Sequence, residues 1–183
     1  YGSCVNGTAH ENSDLDIIFI PKTENGWKLS KTFILDGIGY DIWGTTWNQL
    51  EKFANFEDMK VSVIAESQLV YYASYEDKQK YENLKNQIKS ITDGILTHDL
   101  LEKAKTHLNK AKQYYGELCL EVNLVSAGGI LMEICDTICL LNHTYLHFGG
   151  ERIIEELSDY EKLPEGFVET YNAVIEQVKA IKE

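Results

Sequence analysis

YGSCVNGTAHENSDLDIIFI, residues 1–20, decides how the rest of the chain is read. The stretch ends in a short run, Leu15 to Ile20, that is apolar but for Asp16 and is closed by Pro21. Such a run is suited to a strand covered on both faces. Side chains alternate along a strand, so Asp14 and Asp16 point the same way. Ahead of them come Gly2-Ser3 and Gly7-Thr8. A glycine turn lets the backbone approach a ligand closely, and the hydroxyl and amide groups donate hydrogen bonds, a set suited to phosphate. Position 1 already lies inside this pattern, and further residues are expected upstream.

Working outward, Asn25-Gly26 marks a turn, and Thr32 to Leu35 and Ile38 to Trp43 read as strands joined by Asp36-Gly37, a hairpin signal. On the second strand Gly39, Asp41 and Trp43 share one face, and Ile38, Tyr40 and Ile42 the other. If that strand lies beside Asp16, then Asp14, Asp16 and Asp41 converge. Three such carboxylates are unfavourable by themselves, because like charges raise one another's pKa. A divalent cation among them removes the penalty. Oxygen-only, carboxylate-rich sites suit Mg²⁺, which keeps several waters and bridges to substrate phosphates, where it polarises the phosphoryl group.

Beyond the hairpin, Thr46 reads as the N-cap of a helix from Trp47 to Asn55. Val61 to Ala65 reads as one more short strand, and Glu76 to Lys89 as a solvated helix or connector. The rest reads as helix: Asp99 to Leu118, Val125 to Asn142, Glu151 to Tyr160 and Phe167 to Lys182. Gly149-Gly150 is read as the stop of the second of these, and Gly128-Gly129 as a point of close approach to a neighbour. The fold class is therefore α+β, with a mixed-sheet unit over residues 1–92 followed by an all-α bundle over residues 93–183.

Composition narrows the partners. The chain of 183 residues carries 17 Lys and Arg against 29 Asp and Glu, a net charge of −12. Binding to DNA or RNA draws on cations that neutralise phosphates, so a nucleic-acid partner is not expected, whereas small cationic molecules are attracted. The longest apolar stretch, Leu124 to Leu141, contains Glu133 and Asp136, which makes it a buried helix rather than a membrane span. Cys4, Cys119, Cys135 and Cys139 form no Cys-x-x-Cys pair and read as reduced thiols of a cytoplasmic protein. Cys135 and Cys139 share one face of the apolar helix and read as core. His143 and His147 are spaced for one helical face but read as a partly buried helix end. Glu121, Glu133 and Asp136 are acids in or beside the apolar helix, for which an ion-paired or functional role and simple exposure are both open.

Gly2-Ser3 followed by Asp14-Leu15-Asp16, with Asp41 in GYDIW as a third acid, resembles the nucleotidyltransferase signature of the DNA polymerase beta superfamily. THDLLEKAKTHL, the apolar helix, and YLHFGGERIIEELSDYEKLPEGF resemble the helical half of kanamycin nucleotidyltransferase-like enzymes. The resemblance implies a polymerase beta-like sheet domain and a helical domain for substrate binding and dimerisation. It implies transfer of AMP from Mg-ATP to a hydroxyl of a small molecule such as an aminoglycoside-like antibiotic, in a homodimer. Asp14, Asp16 and Asp41 would bind metal and act in catalysis, and Gly2 and Ser3 would hold the nucleotide. The family's general base is a Glu on the first long helix of the helical half. Here that helix offers Glu102, His107 and Glu117 as candidates, and the choice stays open. Two other readings remain: a nucleotidyltransferase that AMPylates a protein, as in toxin–antitoxin pairs, and a non-catalytic nucleotide-binding or dimerisation module.

Overall fold

The computed structural model describes residues 1–120, 124–149 and 152–181. The chain divides into two compact units, Tyr1–Asp93 and Gly94–Glu183. The class is α+β: a small mixed sheet and several helices.

The first unit begins with a single helical turn, α1 (Ser3–Asn6), and the strand β1 (Leu15–Phe19). After a 3-10 turn at Gly26–Leu29 come β2 (Lys31–Leu35) and β3 (Ile38–Gly44). The sheet order is β1-β3-β2, with β1 parallel and β2 antiparallel to β3. Asp36 and Gly37 both hold positive φ, 51° and 80°, which is the geometry of a type I′ hairpin turn. That turn sets the register opposite Leu35 and Ile38, and Phe33 stacks on Tyr40 with ring centroids 5.1 Å apart. Gly37→Ala puts a Cβ on a left-handed residue, and we expect a loss of about 1 kcal/mol, read by urea denaturation.

Helix α2 (Trp47–Ala54) starts where the Thr46 hydroxyl oxygen accepts from the Gln49 amide. It buries Leu50, Phe53 and Ala54, the i, i+3, i+4 stripe of an amphipathic helix. Val61 to Ala65 is not a strand: it forms the short helix α3 (Ser62–Ala65), with the Ala65 amide bonded to the Val61 carbonyl. A five-residue apolar run has no decisive period, and here Val61, Val63 and Ile64 gain burial by packing beside α2 and α4 instead of by pairing. Helix α4 (Tyr75–Thr92) opens where the Ser74 hydroxyl oxygen accepts from the Asp77 amide, and it buries Leu84 and Ile88. Its other face is solvated.

The second unit holds α5 (His98–Leu120), α6 (Leu124–Leu141), α7 (Ile153–Leu157) and α8 (Phe167–Ile181). Ala104 meets Thr137, His107 meets Glu133, and Tyr114 lies over Gly129. Residue numbers rise along one helix as they fall along the other, so α5 and α6 form an antiparallel hairpin. Leu100, Ala104, His107 and Ala111 line the buried stripe of α5, and Cys135, Ile138, Cys139 and Leu140 that of α6. All four cysteines are free; Cys4 and Cys119 are exposed.

The stop of α6 is earlier than Gly149-Gly150. The Thr144 amide bonds to the Cys139 carbonyl and the His143 amide to that of Leu140, a Schellman motif with His143 in the left-handed position at φ 43°. His143 and His147 therefore share no helical face. Helix α7 is shorter than the expected Glu151 to Tyr160: Ser158 and Asp159 form a turn after it, and the Tyr160 amide bonds to the Leu157 carbonyl. Glu121, Gly150, Glu151 and Lys182 lie outside the described residues. Among the described residues no helix is long and apolar enough to cross a membrane.

Candidate active site

In the sheet-bearing unit, Asp16 and Asp41 are register partners on the parallel strands β1 and β3. Register partners on neighbouring strands project from the same face, with backbones about 4.8 Å apart. Asp14 lies one pleat back, its Cβ against Gly39, so that it flanks the same patch. Asp14 is exposed and the other two are half-buried. Burial, and then the Asp14 and Asp41 carboxylates, push the Asp16 carboxyl above its ordinary value, while a hydrogen bond from the Tyr1 side chain pulls the other way. Burial and neighbouring like charges both disfavour the ionised form. The donor set is all oxygen, which fits Mg²⁺.

Gly2 sits against Asp16 at φ 80° and ψ −163°, a region open essentially to glycine. A Cβ there would collide with Asp16 Oδ2. The Gly2 carbonyl accepts from the amides of Val5 and Asn6, and Ser3 opens the turn that follows. Thr8 bonds through its amide and hydroxyl to Asn6 Oδ1, so its role lies within the loop.

Three residues of this patch carried no weight in the sequence reading. Thr32 Oγ1 donates to Asp41 Oδ1 at 2.7 Å. Trp43 Nε1 donates to the Tyr1 hydroxyl oxygen at 2.7 Å. The Tyr1 hydroxyl is in turn raised in pKa, first by burial and also by the three aspartates. Thr32 was within reach of sequence reasoning, since counting back through a two-residue turn sets it opposite Asp41. The Tyr1–Trp43 bond spans 42 positions and has no local signal. A separate cavity of about 400 Å³ between α2 and α4, lined by Trp47, Glu51, Lys80 and Gln87 among others, includes none of the aspartates.

The three candidate bases, all on α5, have different surroundings. Glu102 is exposed, accepts from Lys105 Nζ at 2.6 Å, and is lowered in pKa chiefly by that bond. Glu117 is exposed and accepts from Gln113 Nε2 at 3.3 Å. His107 is 6% exposed, and its Nδ1 lies 2.6 Å from Glu133 Oε2 and 3.7 Å from Asp136 Oδ2. Glu133 and Asp136 are thus half-buried partners of a histidine on the facing helix, a link the sequence does not reveal. Among the described residues, His107, Glu133 and Asp136 are a group whose ligand atoms all lie within 4.8 Å of one another.

No family model, curated protein or solved structure matches this chain.

Proposed function

We propose that the chain is a Mg²⁺-dependent nucleotidyltransferase of the polymerase beta type. In this reading it moves a nucleoside monophosphate, AMP from ATP, to a hydroxyl of a small-molecule acceptor. The observation that carries it is the pairing of Asp16 with Asp41 across parallel strands, with Asp14 flanking them on the same face. Three acids that repel one another and raise the pKa of the central one have a physical purpose when a cation binds among them.

The acceptor oxygen attacks the α-phosphorus, the bond from that phosphorus to its bridging oxygen breaks, and pyrophosphate leaves. The acceptor proton passes to a base, for which Asp41 is the candidate within the sheet-bearing unit. When bound, Mg²⁺ supplies charge neutralisation at the phosphates. The chain's own part is positioning: Asp14 and Asp16 would hold the cation, Thr32 fixes the Asp41 carboxylate, and the Gly2-Ser3 turn would hold the triphosphate. The charge of −12 favours a cationic acceptor of the aminoglycoside type. A cytoplasmic homodimer acting without nucleic acid completes the reading.

The test is a mass-spectrometric transfer assay with Mg-ATP and a panel of aminoglycosides and lincosamides. An AMP adduct on one compound supports the proposal. An adduct on a protein would redirect it to a protein target, and absence of ATP binding would sink it. Within the same assay Gly2→Ala is expected to lower transfer by about 10²-fold, because the new Cβ displaces the Asp16 carboxylate from its geometry. Unchanged transfer in that variant counts against a role for the turn.

A further inference from the structure

We propose that His107, Glu133 and Asp136 form a second, separate metal site, a nitrogen-containing site for a divalent transition metal of the Zn²⁺ class inside the α5–α6 hairpin. The proposal stands independently of the nucleotidyltransferase reading, since its residues all belong to the helical unit.

Glu133 and Asp136 are the only charged residues among the 18 of helix α6, which is otherwise mostly apolar. Residues three apart share a helix face, and both carboxylates are turned toward one imidazole on α5. Their side chains are 16% and 15% exposed, and that of His107 is 7% exposed. Half-burying two carboxylates on one turn is costly unless positive charge is brought to them. Lys110 Nζ approaches Glu133 Oε1 only at 3.9 Å and remains 48% exposed. His107 Nδ1 stands beside both acids. A divalent cation meets both carboxylates and uses the imidazole as a neutral ligand.

The geometry agrees. Bonds of about 2.1 Å to a common ion put neighbouring ligand atoms roughly 3.0–3.4 Å apart. The Nδ1–Oε2 and Nδ1–Oδ2 separations of 2.6 Å and 3.7 Å lie on either side of that range, within reach of small side-chain rotations. An imidazole nitrogen beside two carboxylates selects Zn²⁺, Co²⁺ or Ni²⁺ over Mg²⁺ or Ca²⁺. Three protein ligands leave at least one coordination position open to water or a small ligand, and helical bundles build such sites from side chains on facing helices. The two carboxylates and the histidine therefore read as a site with chemistry unlike that of the aspartate patch.

The experiment uses the full chain, stripped with chelator and titrated with Zn²⁺ alone in competition with a coloured chelator. Co²⁺ serves as a spectroscopic probe of the ligand field. We expect one equivalent of Zn²⁺ that excess Mg²⁺ does not displace, with a ¹⁵N shift at His107 Nδ1 on binding. Glu133→Gln and His107→Gln are each expected to weaken Zn²⁺ by about 100-fold or more, while Asp16→Asn leaves that binding unchanged. Asp136→Asn, the mildest change, should alter the Co²⁺ bands and keeps the test open should His107→Gln fail to fold. Absence of Zn²⁺ binding by the wild-type chain overturns the proposal and leaves a buried ion pair. Binding of equal strength in Glu133→Gln and Asp136→Asn, or without a shift at His107, overturns it as well by moving the ion elsewhere.

Discussion

Asp16→Asn is expected to reduce nucleotide transfer by about 10³-fold or more while the chain remains folded. Loss of one carboxylate from the cation-binding patch removes several kcal/mol of charge stabilisation at the transferring phosphoryl group, and about 1.4 kcal/mol is a factor of ten. The same substitution should not harm the fold. The folded-state pKa of Asp16 is raised, by burial and then by Asp14 and Asp41, so the folded chain holds this proton more tightly than the unfolded chain. Its contribution to stability therefore falls as pH rises from the unfolded value through the raised one, and at neutral pH the ionised group is a net cost. Asparagine removes that cost. Melting curves without metal should show Asp16→Asn at or above the wild-type Tm, and added Mg²⁺ should raise the wild type more than the variant. Undiminished transfer, or an equal Mg²⁺ shift in both proteins, would remove Asp16 from the site.

The second large effect is structural and lies in the helical unit. Glu156 has a side chain only 8% exposed, yet it is fully engaged. It accepts from His147 Nδ1 at 2.7 Å, from the Tyr160 hydroxyl at 2.6 Å, and from the amides of His147 and Phe148 at 3.1 Å. One carboxylate thus pins the loop after α6 to α7. Glu156→Gln keeps the volume but turns an amide donor toward groups that are donors themselves. We expect a loss of about 3 kcal/mol, the scale of breaking a shielded, charge-assisted network. Burial pushes the Glu156 carboxyl up, but the hydrogen bonds from His147, Tyr160 and the two amides outweigh it and leave the pKa below its ordinary 4.5. The contribution is therefore complete above pH 4.5 and is lost as pH falls through the depressed folded value. Urea titrations of wild type and variant should differ most near neutrality and converge in acid. A gap that persisted unchanged in acid would show that charge plays no part.

Much of the sheet could be read from residues 14–43, because its determinants are local. The two-residue Asp36-Gly37 turn and period-two alternation fix which side chains share a face, and the same counting reaches Thr32 opposite Asp41. Parallel pairing of β1 with β3 required an assumption about which strand lies beside Asp16, and nothing local dictates that. Val61 to Ala65 was misassigned because so short an apolar run satisfies helix and strand alike, and packing made the choice. The end of α6 was read at Asn142, one residue from Leu141, but its stop was credited to Gly149-Gly150. Glycine is the usual left-handed residue, yet here a histidine adopts that geometry in front of a rigidly bonded loop. The His107 cluster was hidden more deeply. Its members are 26 and 29 positions apart, and only the register of two packed helices brings them together.

The distribution of sulfur gives the molecule its own clock. Cys4 and Cys119 are open to solvent, while Cys135 and Cys139 are wholly buried along α6. Burial, and then the nearby Asp136, push the Cys135 thiol up to about 12 and disfavour the reactive thiolate even when reagent arrives. Alkylation is therefore expected in two stages, the exposed pair first and the buried pair only as the helical unit opens, read by mass spectrometry over time. The slow stage times the breathing of that unit alone, with no probe attached and no denaturant added.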